Sequence, residues 1–411
     1  MALSLCECLR PIFHDDDVSR SHSIMEQPAR HPKRKEKALE RWKADTTTAP
    51  PPVRIRGRHL EDSSKAFEHN SWDDVEMTAE ELAAAEAKIC AQPLADAERI
   101  KGCVEQASAR WDRHYEENLR NYHDRRYLQN EYPTLLHSAA TGGGDAGAND
   151  DRPLLILETG CGVGNALLPL LALSPRVRAL GCDHAAGAVE RANERLAREG
   201  LDGRGRAFCW DLGLPTPHGE LPEGGVDTVL ALFTLSALPP DALPCAFAHL
   251  AAALAPGGQL LLRDYGRLDL KQLKFASAGS SARLGSGHGC EWYSRGDGTT
   301  ALFFTTDAVR QLAVSAGLEV RTLGYDKRLT VNRAERKRMH RVWVVAELVK
   351  PQTACGSAAS PMASGLQSRH AERRPRPMAS TAILVAGSAV VLAGAMLLAA
   401  RLAILARSKQ R

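Results

Sequence analysis

The chain has 411 residues, a formal net charge of +4 and a pI near 8.5. Its length allows one large globular unit with appendages or two domains, and its charge is too mild to bind nucleic acid without local basic patches. The ten cysteines contain no CxxC pair, which argues against disulfides and zinc sites and favours free thiols in a reducing compartment.

The N-terminal region divides into a tail and a helical extension. Residues 1–57 mix basic and proline-rich stretches without a sustained apolar period, which predicts a disordered basic tail. Residues 58–137 show helical periodicity, with Trp111 and Tyr115 four residues apart on an amphipathic aromatic helix. A stretch over 138–151 that is rich in glycine and alanine predicts a flexible loop after this extension.

An alternating pattern of strands and helices fills residues 152–350. Apolar strand-like runs are separated by helical runs, a spacing typical of βαβ units in a mostly parallel sheet. The last two runs are expected to pair as a C-terminal antiparallel hairpin. We therefore expect an α/β, Rossmann-like fold with helices on both faces of the sheet. The predicted strands are "PLLILET", "VRALGCD", "RAFCWDL", "VDTVLALFTL", "GQLLLRDY", "TALFF", "LEVRTLGYD" and "RVWVVAELV".

The C-terminal region is predicted to be a linker followed by a membrane span. Residues 351–377 are rich in serine, alanine, proline and arginine, as in a flexible linker. Nineteen uncharged residues then run from Ala382 to Ala400. At about 1.5 Å per residue, a helix of this length crosses a hydrocarbon layer of about 30 Å. We expect a single transmembrane helix over 380–406 that leaves the rest of the chain on the cytosolic side; the sequence leaves the organelle open.

A glycine-rich turn follows the first predicted strand of the α/β domain. It reads Glu158-Thr-Gly-Cys-Gly-Val-Gly, so Gly160 and Gly162 stand where a backbone can approach a ligand closely, at the start of a helix. The spacing is GxGxG rather than GxGxxG, and no GxxxxGK motif occurs. Binding of dinucleotides or of nucleoside triphosphates is therefore disfavoured.

Two acidic residues sharpen the interpretation of this turn. Asp183 ends the second predicted strand, where a carboxylate can accept both hydroxyl groups of a ribose. Asp211 ends the third, and with Leu212 it offers an acceptor and a backbone donor for an adenine edge. Each acid alone could equally be a helix cap or a turn former. Together with the glycines they form the arrangement typical of class I S-adenosylmethionine-dependent methyltransferases.

Longer segments narrow the family. The motifs RDYGRxDxxQLKF and RGDGTxxxFF are more specific than any glycine turn, and "AFEHNSWDDVE" occurs at residues 66–76. On these motifs the chain resembles the eukaryotic tRNA N3-methylcytidine methyltransferases, the methyltransferase-like 2/6/8 group. Residues 66–76 are similar to a segment of the branch that modifies threonine and arginine tRNAs. The matching segments are "WDRHYEENLRNYHDRRYLQNEYP", "ILETGCGVGN", "LFTLSALPPD", "LAPGGQLLLRDYGRLDLKQLKF", "WYSRGDGTTALFFTTD" and "VNRAERKRMHRVWVVAEL".

The resemblance implies a cofactor, a substrate and a set of binding residues. The cofactor would be S-adenosylmethionine, and the substrate a cytidine in the anticodon loop, at position 32 of threonine or arginine tRNAs. The extension over 58–137 would contact both. A protein helper, such as an aminoacyl-tRNA synthetase or another tRNA-binding protein, is a candidate partner. Together with the glycine turn, the cofactor-binding residues would be Trp111, Tyr115, Glu158, Gly160, Gly162, Asp183, Asp211, Leu212 and Leu232.

The polar tip after the strand "GQLLLRDY" is the predicted catalytic region. Arg263, Asp264 and Tyr265 leave the carboxyl end of a central strand, where open α/β sheets bind ligands. Because cytosine N3 already carries a lone pair, its methylation needs no general base, and a carboxylate would stabilise the cationic product. Asp264 is the candidate and Asp297 the second; the alternative for Asp264 is a salt bridge. The predicted RNA-binding residues are Arg267, Lys271, Arg295, Asn332, Arg333 and Arg341.

Several alternatives stay open at this stage. Trp292 and Tyr293 either stack on the base or seal the core. The segment over 277–290 is longer and more flexible than the resemblance predicts, and its role is open. The chain could also be a membrane-anchored methyltransferase of a small molecule or lipid, or a non-catalytic tRNA-binding scaffold. The intact glycines and Asp183 argue against a scaffold, and the RDYGR and RGDGT motifs argue against a small substrate.

Overall fold

The structure is a computed structural model, and it describes residues 57–118, 124–132, 135, 152–277, 279 and 281–352. The helices are α1 (Ala79–Cys90), α2 (Ala97–Glu105), α3 (Ala107–Glu117), α4 (Leu128–Glu131), α5 (Leu167–Leu173), α6 (Ala186–Arg198), α7 (Leu243–Ala253), α8 (Leu270–Phe275) and α9 (Thr306–Ser315). Short 3₁₀ helices span Ser63–Lys65, Leu235–Ala237 and Pro240–Ala242.

The strands form two sheets. The larger sheet has the order β1-β10-β11-β6-β5-β2-β3-β4 and the smaller the order β7-β8-β9. The strands are β1 (Ser71–Asp73), β2 (Leu154–Thr159), β3 (Val177–Asp183), β4 (Gly205–Cys209), β5 (Val226–Leu232), β6 (Leu254–Tyr265), β7 (Ala282–Gly287), β8 (Cys290–Ser294), β9 (Thr300–Phe303), β10 (Glu319–Asn332) and β11 (Lys337–Val349).

The larger sheet has a parallel half and an antiparallel half. Strands β4, β3, β2, β5 and β6 are parallel neighbours, whereas β6, β11, β10 and β1 pair antiparallel. The Rossmann-like alternation and the C-terminal hairpin of β10 and β11 are therefore confirmed. The carboxyl ends of the parallel strands meet at one edge, which is where such sheets bind ligands.

Each face of this sheet has its own apolar core. Helices α7 and α9 cover one face, where Phe247 packs among Leu260, Leu262 and Val344. Helix α5 covers the parallel part of the other face, where Ile156 is fully buried. Because side chains alternate along a strand, successive residues of β6 face opposite cores.

Two parts of the chain differ from the sequence-based expectation. The run "TALFF" was expected to continue the main sheet, but β9 pairs with β8 in the smaller sheet, where Tyr293 packs against Phe303. Strand β7 lies in the segment over 277–290 that was expected to be flexible. Apolar runs of this length have the same pattern in either sheet, so their sequence does not assign them to one.

The extension is helical as predicted, but it also contains a strand. Strand β1 pairs antiparallel with β10 at the edge of the main sheet. Its central Trp72 is buried against Leu329 and Val331, and its indole N–H donates to the Ala66 carbonyl oxygen at 2.8 Å. A strand of three residues is too short to show a period-two pattern, which is why helical periodicity dominated the prediction.

The expected transmembrane helix was wrong as part of this fold. Within the residues the structure describes, no helix has the length and apolar character needed to cross a bilayer. The expectation rested on the hydropathy of residues 380–406 alone, and those residues lie outside the described ranges. The predicted tail up to residue 56 and the linker beyond residue 352 also lie outside them, so these boundaries stay predictions.

Candidate functional site

The glycine turn after β2 is shaped by steric requirements that only glycine meets. Gly160 and Gly162 adopt φ values of +60° and +53°, in the left-handed region. A Cβ atom at Gly160 would lie 2.5 Å from the Thr234 hydroxyl oxygen, and one at Gly162 would lie 2.7 Å from the Tyr115 hydroxyl oxygen. The turn is therefore enclosed by β5 on one side and by the extension on the other.

Asp183 fixes this turn from the end of β3. Its carboxylate accepts hydrogen bonds from the backbone N–H groups of Gly162 at 2.9 Å and of Ala185 at 3.0 Å. The side chain is 6% exposed, so its orientation is set by these bonds rather than by solvent. Asp183 ends its strand as the sequence indicated, and its contact with a ribose stays a prediction.

Asp211, Leu212 and Leu232 follow the neighbouring strands at the same edge of the sheet. Asp211 is exposed and accepts a hydrogen bond from the Gly213 N–H at 2.9 Å, which makes it a turn former in this structure. Leu212 is buried, and its carbonyl oxygen lies 2.8 Å from His249 Nδ1. Leu232 ends β5 beside the turn. The structure thus brings the predicted cofactor-binding residues to one edge.

Helix α3 supplies the wall predicted from the aromatic pattern. Tyr115 is buried against Val163, and the Trp111 ring lies 6.0 Å from the Tyr115 ring. The guanidinium of Arg295, predicted to bind RNA, lies 5.5 Å from the centroid of the Trp111 ring. Arg295 therefore stands beside the predicted cofactor pocket.

Sequence reasoning missed His114, which joins α3 to the turn after β8. His114 Nδ1 lies 2.9 Å from Asp297 Oδ2, and its buried Nε2 makes no hydrogen bond. Burial disfavours the ionised form of Asp297, but hydrogen bonds from His114 and Thr299 hold the pKa of Asp297 below its usual range. A histidine directly before a predicted contact residue carries no signal of its own without a known partner.

Glu158 is buried at the end of β2 and stays only partly satisfied. Its Oε2 atom makes no hydrogen bond, and burial raises the pKa of Glu158 to about 8, against the opposing charge of Arg125. A buried carboxyl with an unpaired oxygen suits a cationic or N–H-bearing ligand group at the glycine turn. The unpaired Oε2 atom of Glu158 and the side-chain-free backbone at Gly162 are both compatible with a bound cofactor.

The predicted catalytic residues of β6 are divided between the two faces of the sheet. Asp264 is fully buried, and its carboxylate accepts hydrogen bonds from the backbone N–H groups of Ser236 at 2.9 Å and of Tyr265 at 2.8 Å. Burial raises the pKa of Asp264 to about 6, although these hydrogen bonds oppose the shift. Arg263 and Tyr265 point to the other face.

Arg263 belongs to a buried ionic network that the sequence did not predict. Its guanidinium lies 2.8 Å from Glu131 and 2.6 Å from Asp326, and 4.6 Å from the centroid of the Trp343 ring. Arg328 pairs with the same two carboxylates, at 3.2 Å and 2.8 Å. The alternation of Asp326 and Arg328 on one face of β10 is the signal that could have pointed to this network.

Two of the predicted RNA-binding residues of the β6 tip and of the hairpin already form ion pairs. Arg267 forms a two-pronged ion pair with Glu86 of α1. Arg341 pairs with the buried Asp269 at 2.8 Å. Burial, together with the nearby Arg341, lowers the pKa of Lys271.

The remaining predicted residues have two different placements. Asn332 accepts a hydrogen bond from the Ala334 N–H at 3.1 Å at the turn of the hairpin, where Arg333 is exposed. Trp292 and Tyr293, the candidates for base stacking, are 6% and 0% exposed. Both rings therefore fill core positions in this structure.

Comparison with known proteins identifies the family. A model described as "Methyltransferase domain" matches residues 157–260. The chain is 34% identical over 328 residues to the tRNA N(3)-cytidine methyltransferase METTL2 of Xenopus tropicalis, covering 72% of this chain and 94% of that protein. The chain belongs to the tRNA N(3)-cytidine methyltransferase family.

Further relatives agree with this assignment. The tRNA N(3)-methylcytidine methyltransferase Mettl2 of Drosophila melanogaster is 36% identical, with 72% of this chain and 87% of that protein covered. The tRNA(Thr) (cytosine(32)-N(3))-methyltransferase of Saccharomyces cerevisiae is 33% identical, over 73% of this chain and 46% of the yeast protein. The solved magnesium protoporphyrin IX methyltransferase of Synechocystis is 18% identical, with 59% of this chain and 93% of that chain covered, and superposes with a TM-score of 0.37.

Proposed function

We propose that this protein is an S-adenosylmethionine-dependent methyltransferase that forms 3-methylcytidine in the anticodon loop of specific tRNAs. The observation that carries the proposal is its similarity, 34% identity over 72% of this chain and 94% of the relative, to a tRNA N(3)-cytidine methyltransferase. The intact glycine turn and Asp183 support a catalytic rather than a scaffold role, because both suit a bound methyl donor.

The residues at the parallel edge fit the cofactor. S-adenosylmethionine supplies an activated methyl group on a sulfonium ion. Asp183, at the end of β3, suits the two ribose hydroxyls, and the exposed Asp211 suits the adenine amine. Trp111 and Tyr115 close the pocket from α3, and the unpaired oxygen of Glu158 offers an acceptor at the turn.

The chemistry needs positioning more than acid–base catalysis. Cytosine N3 attacks the methyl carbon with its own lone pair, the carbon–sulfur bond breaks, and its electron pair stays on sulfur. The positive charge passes from the sulfonium ion to the methylated ring, and no proton moves. The protein's contribution is therefore to align the base with the methyl group and to stabilise the new cation.

We infer position 32 of threonine or arginine tRNAs as the target. The yeast relative is named for cytosine 32 of tRNA(Thr). Residues 66–76, which resemble the corresponding branch, include β1, which pairs with the hairpin that carries Arg333. A helper such as an aminoacyl-tRNA synthetase stays a prediction.

The test is nucleoside analysis of single purified tRNAs. Unmodified threonine, arginine and serine tRNAs are incubated with the purified protein and S-adenosylmethionine, with and without the cognate synthetase, and the digested nucleosides are identified by mass spectrometry. We expect 3-methylcytidine in threonine or arginine tRNA, and no product when position 32 is uridine.

Two controls separate the parts of this proposal. The Asp183→Ala variant should bind the tRNA but make far less product than the wild type at a limiting concentration of S-adenosylmethionine. If threonine and arginine tRNAs both stay unmodified in every mixture while the protein binds S-adenosylmethionine, the substrate assignment is wrong. Product in serine tRNA alone would keep the reaction but overturn the assigned tRNA class.

A further inference from the structure

The face of the sheet opposite Asp264 carries two neighbouring cavities. The larger, of about 350 Å³, and the smaller, of about 160 Å³, are both lined by Arg263 and Glu131. The smaller one is also lined by Tyr127, Phe233 and Trp343. An apolar cavity of about 150 Å³ holds one six-membered aromatic ring, so the smaller cavity has the size of a single pyrimidine.

Three aromatic side chains line the smaller cavity from three separate elements. Tyr127 precedes α4, Phe233 follows β5, and Trp343 lies within β11. Aromatic side chains are the usual stacking partners of unpaired RNA bases, and each stacked base contributes about 1–3 kcal/mol. The walls thus suit a flat, π-bonded ligand.

The smaller cavity adjoins the predicted methyl-donor site through Phe233. This residue directly follows Leu232 and has a φ of +58°, a conformation that is rare and strained for a bulky side chain. Its N–H donates to the Arg263 carbonyl oxygen at 2.8 Å, and the next residue, Thr234, lies against the glycine turn at Gly160. Two adjacent residues, Phe233 and Thr234, therefore lie between the cavity and the glycine turn.

A carboxylate is held in place at this cavity. The side chain of Glu131 is only 4% exposed, and it lies 2.8 Å from Arg263 and 3.2 Å from Arg328. Burying charged groups costs several kcal/mol for each ion, and this cost is offset only when the geometry is well satisfied. Two arginines thus fix one carboxylate in the wall of a cavity that three aromatic side chains also line.

We propose that the smaller cavity binds the acceptor cytosine and that Glu131 selects cytosine over uracil; this inference rests on the proposed function. Cytosine presents an exocyclic N4 amine that donates a hydrogen bond to a carboxylate. Uracil presents the acceptor O4 at the same position, which a carboxylate oxygen repels. Glu131 is thus a specificity-determining residue.

Asp264 is less suited to this task than Glu131. It is fully buried on the opposite face of β6, and it does not line the smaller cavity, whereas Glu131 does. The carboxylate therefore shapes the strand end rather than the face that carries the smaller cavity. Asp326 provides a comparison, because it pairs with the same two arginines as Glu131 but lines only the larger cavity.

The experiment compares Glu131→Gln with Asp326→Asn as a matched control. Dissociation constants are measured for two tRNAs that differ only in cytosine or uracil at the acceptor position, with S-adenosylhomocysteine present. For the wild type we expect uracil to weaken binding about tenfold, within the range of one base-edge contact. The Glu131→Gln amide can donate to O4, so the ratio should fall to about one, whereas Asp326→Asn should keep it. If both variants keep the ratio, or both lose it equally, Glu131 does not read the base.

A second variant covers the case in which Glu131→Gln fails to fold, which loss of S-adenosylmethionine binding would reveal. Tyr127→Leu changes a half-buried wall residue. With a fluorescent cytosine analogue at the acceptor position, the wild type should change its emission on binding, and Tyr127→Leu should reduce that change several-fold. An unchanged signal would overturn the pocket assignment. Failure of the proposed function looks different, because the wild type would then form no 3-methylcytidine.

Discussion

The two halves of the main sheet place polar groups in different ways. In the parallel half, Asp183 and the glycine turn lie at strand ends, and backbone N–H groups donate the hydrogen bonds that orient the Asp183 carboxylate. In the antiparallel half, Arg263 and Arg328 lie within strands, buried beside carboxylates from distant parts of the chain. The polar groups of the parallel half are therefore held in place by backbone conformation, and those of the antiparallel half by buried ion pairs.

Removing a cation from the antiparallel half should have the largest effect on stability. Arg328 is 3% exposed and pairs with Asp326 at 2.8 Å and with Glu131 at 3.2 Å. Arg328→Ala leaves these buried carboxylates with one cation fewer, so we expect a loss of about 3–5 kcal/mol in the free energy of unfolding. Urea unfolding at fixed pH and salt measures it.

An arginine on the neighbouring surface is the control for this comparison. Arg321 also pairs with a glutamate of β11, Glu347, at 2.7 Å, but its side chain is 56% exposed. Because solvent screens such a pair, Arg321→Ala should cost less than about 1 kcal/mol. Equal losses for the two variants would show that burial of the network does not distinguish it from an ordinary surface pair.

In the parallel half, the largest effect should be on ligand affinity. Asp183→Ala removes the proposed acceptor for the ribose hydroxyls and frees the N–H groups of Gly162 and Ala185. We expect the dissociation constant for S-adenosylmethionine to rise at least about 100-fold, since hydrogen bonds to charged groups contribute about 1.5–3 kcal/mol each. Calorimetric titration measures the change. The exposed Asp241, changed to alanine, should leave affinity unaltered; a matching loss there would contradict the role of Asp183.

The same contrast explains what the sequence could predict. The glycine turn, Asp183 and the hairpin of β10 and β11 depend on residues close in sequence or on strand order, so pattern and motif found them. The partners of Arg263 are 132 and 63 residues away, at Glu131 and Asp326. No local period links such positions, and the sequence analysis, which considered a salt bridge only as the alternative role of Asp264, predicted neither pair.

Which aromatic residues fill the core and which line a cavity could not be predicted from the sequence. Trp292 and Tyr293 were left open between stacking and core, and the structure buries both. Sequence reasoning weighed them because of their motif, whereas Phe233 and Trp343 lay in apolar runs that resemble any core strand. Only the three-dimensional arrangement shows that Phe233 and Trp343 line a cavity beside charged groups.

Glu158 shares a feature with each half of the sheet, because it lies at the ligand edge of the parallel half but is buried like the ionic network of the antiparallel half. Its burial makes the stability of the protein depend on pH. Burial raises the pKa of Glu158 to about 8, above the ordinary value of 4.5 that it has in the unfolded chain. Between these values the folded state binds more protons than the unfolded state. The stabilising contribution is therefore complete below pH 4.5 and is lost as pH rises through 8.

Glu158→Gln should remove this dependence, with an effect limited by a single proton to at most about 1.4 kcal/mol per pH unit. We expect the ligand-free wild type to lose stability relative to Glu158→Gln between pH 5 and pH 8, measured by urea unfolding at matched ionic strength. The exposed Glu223→Gln variant corrects for other titrating groups and should follow the wild type. Parallel curves for all three proteins would mean that Glu158 is ionised in the folded state and that the parallel edge, like the antiparallel half, already holds a compensating charge.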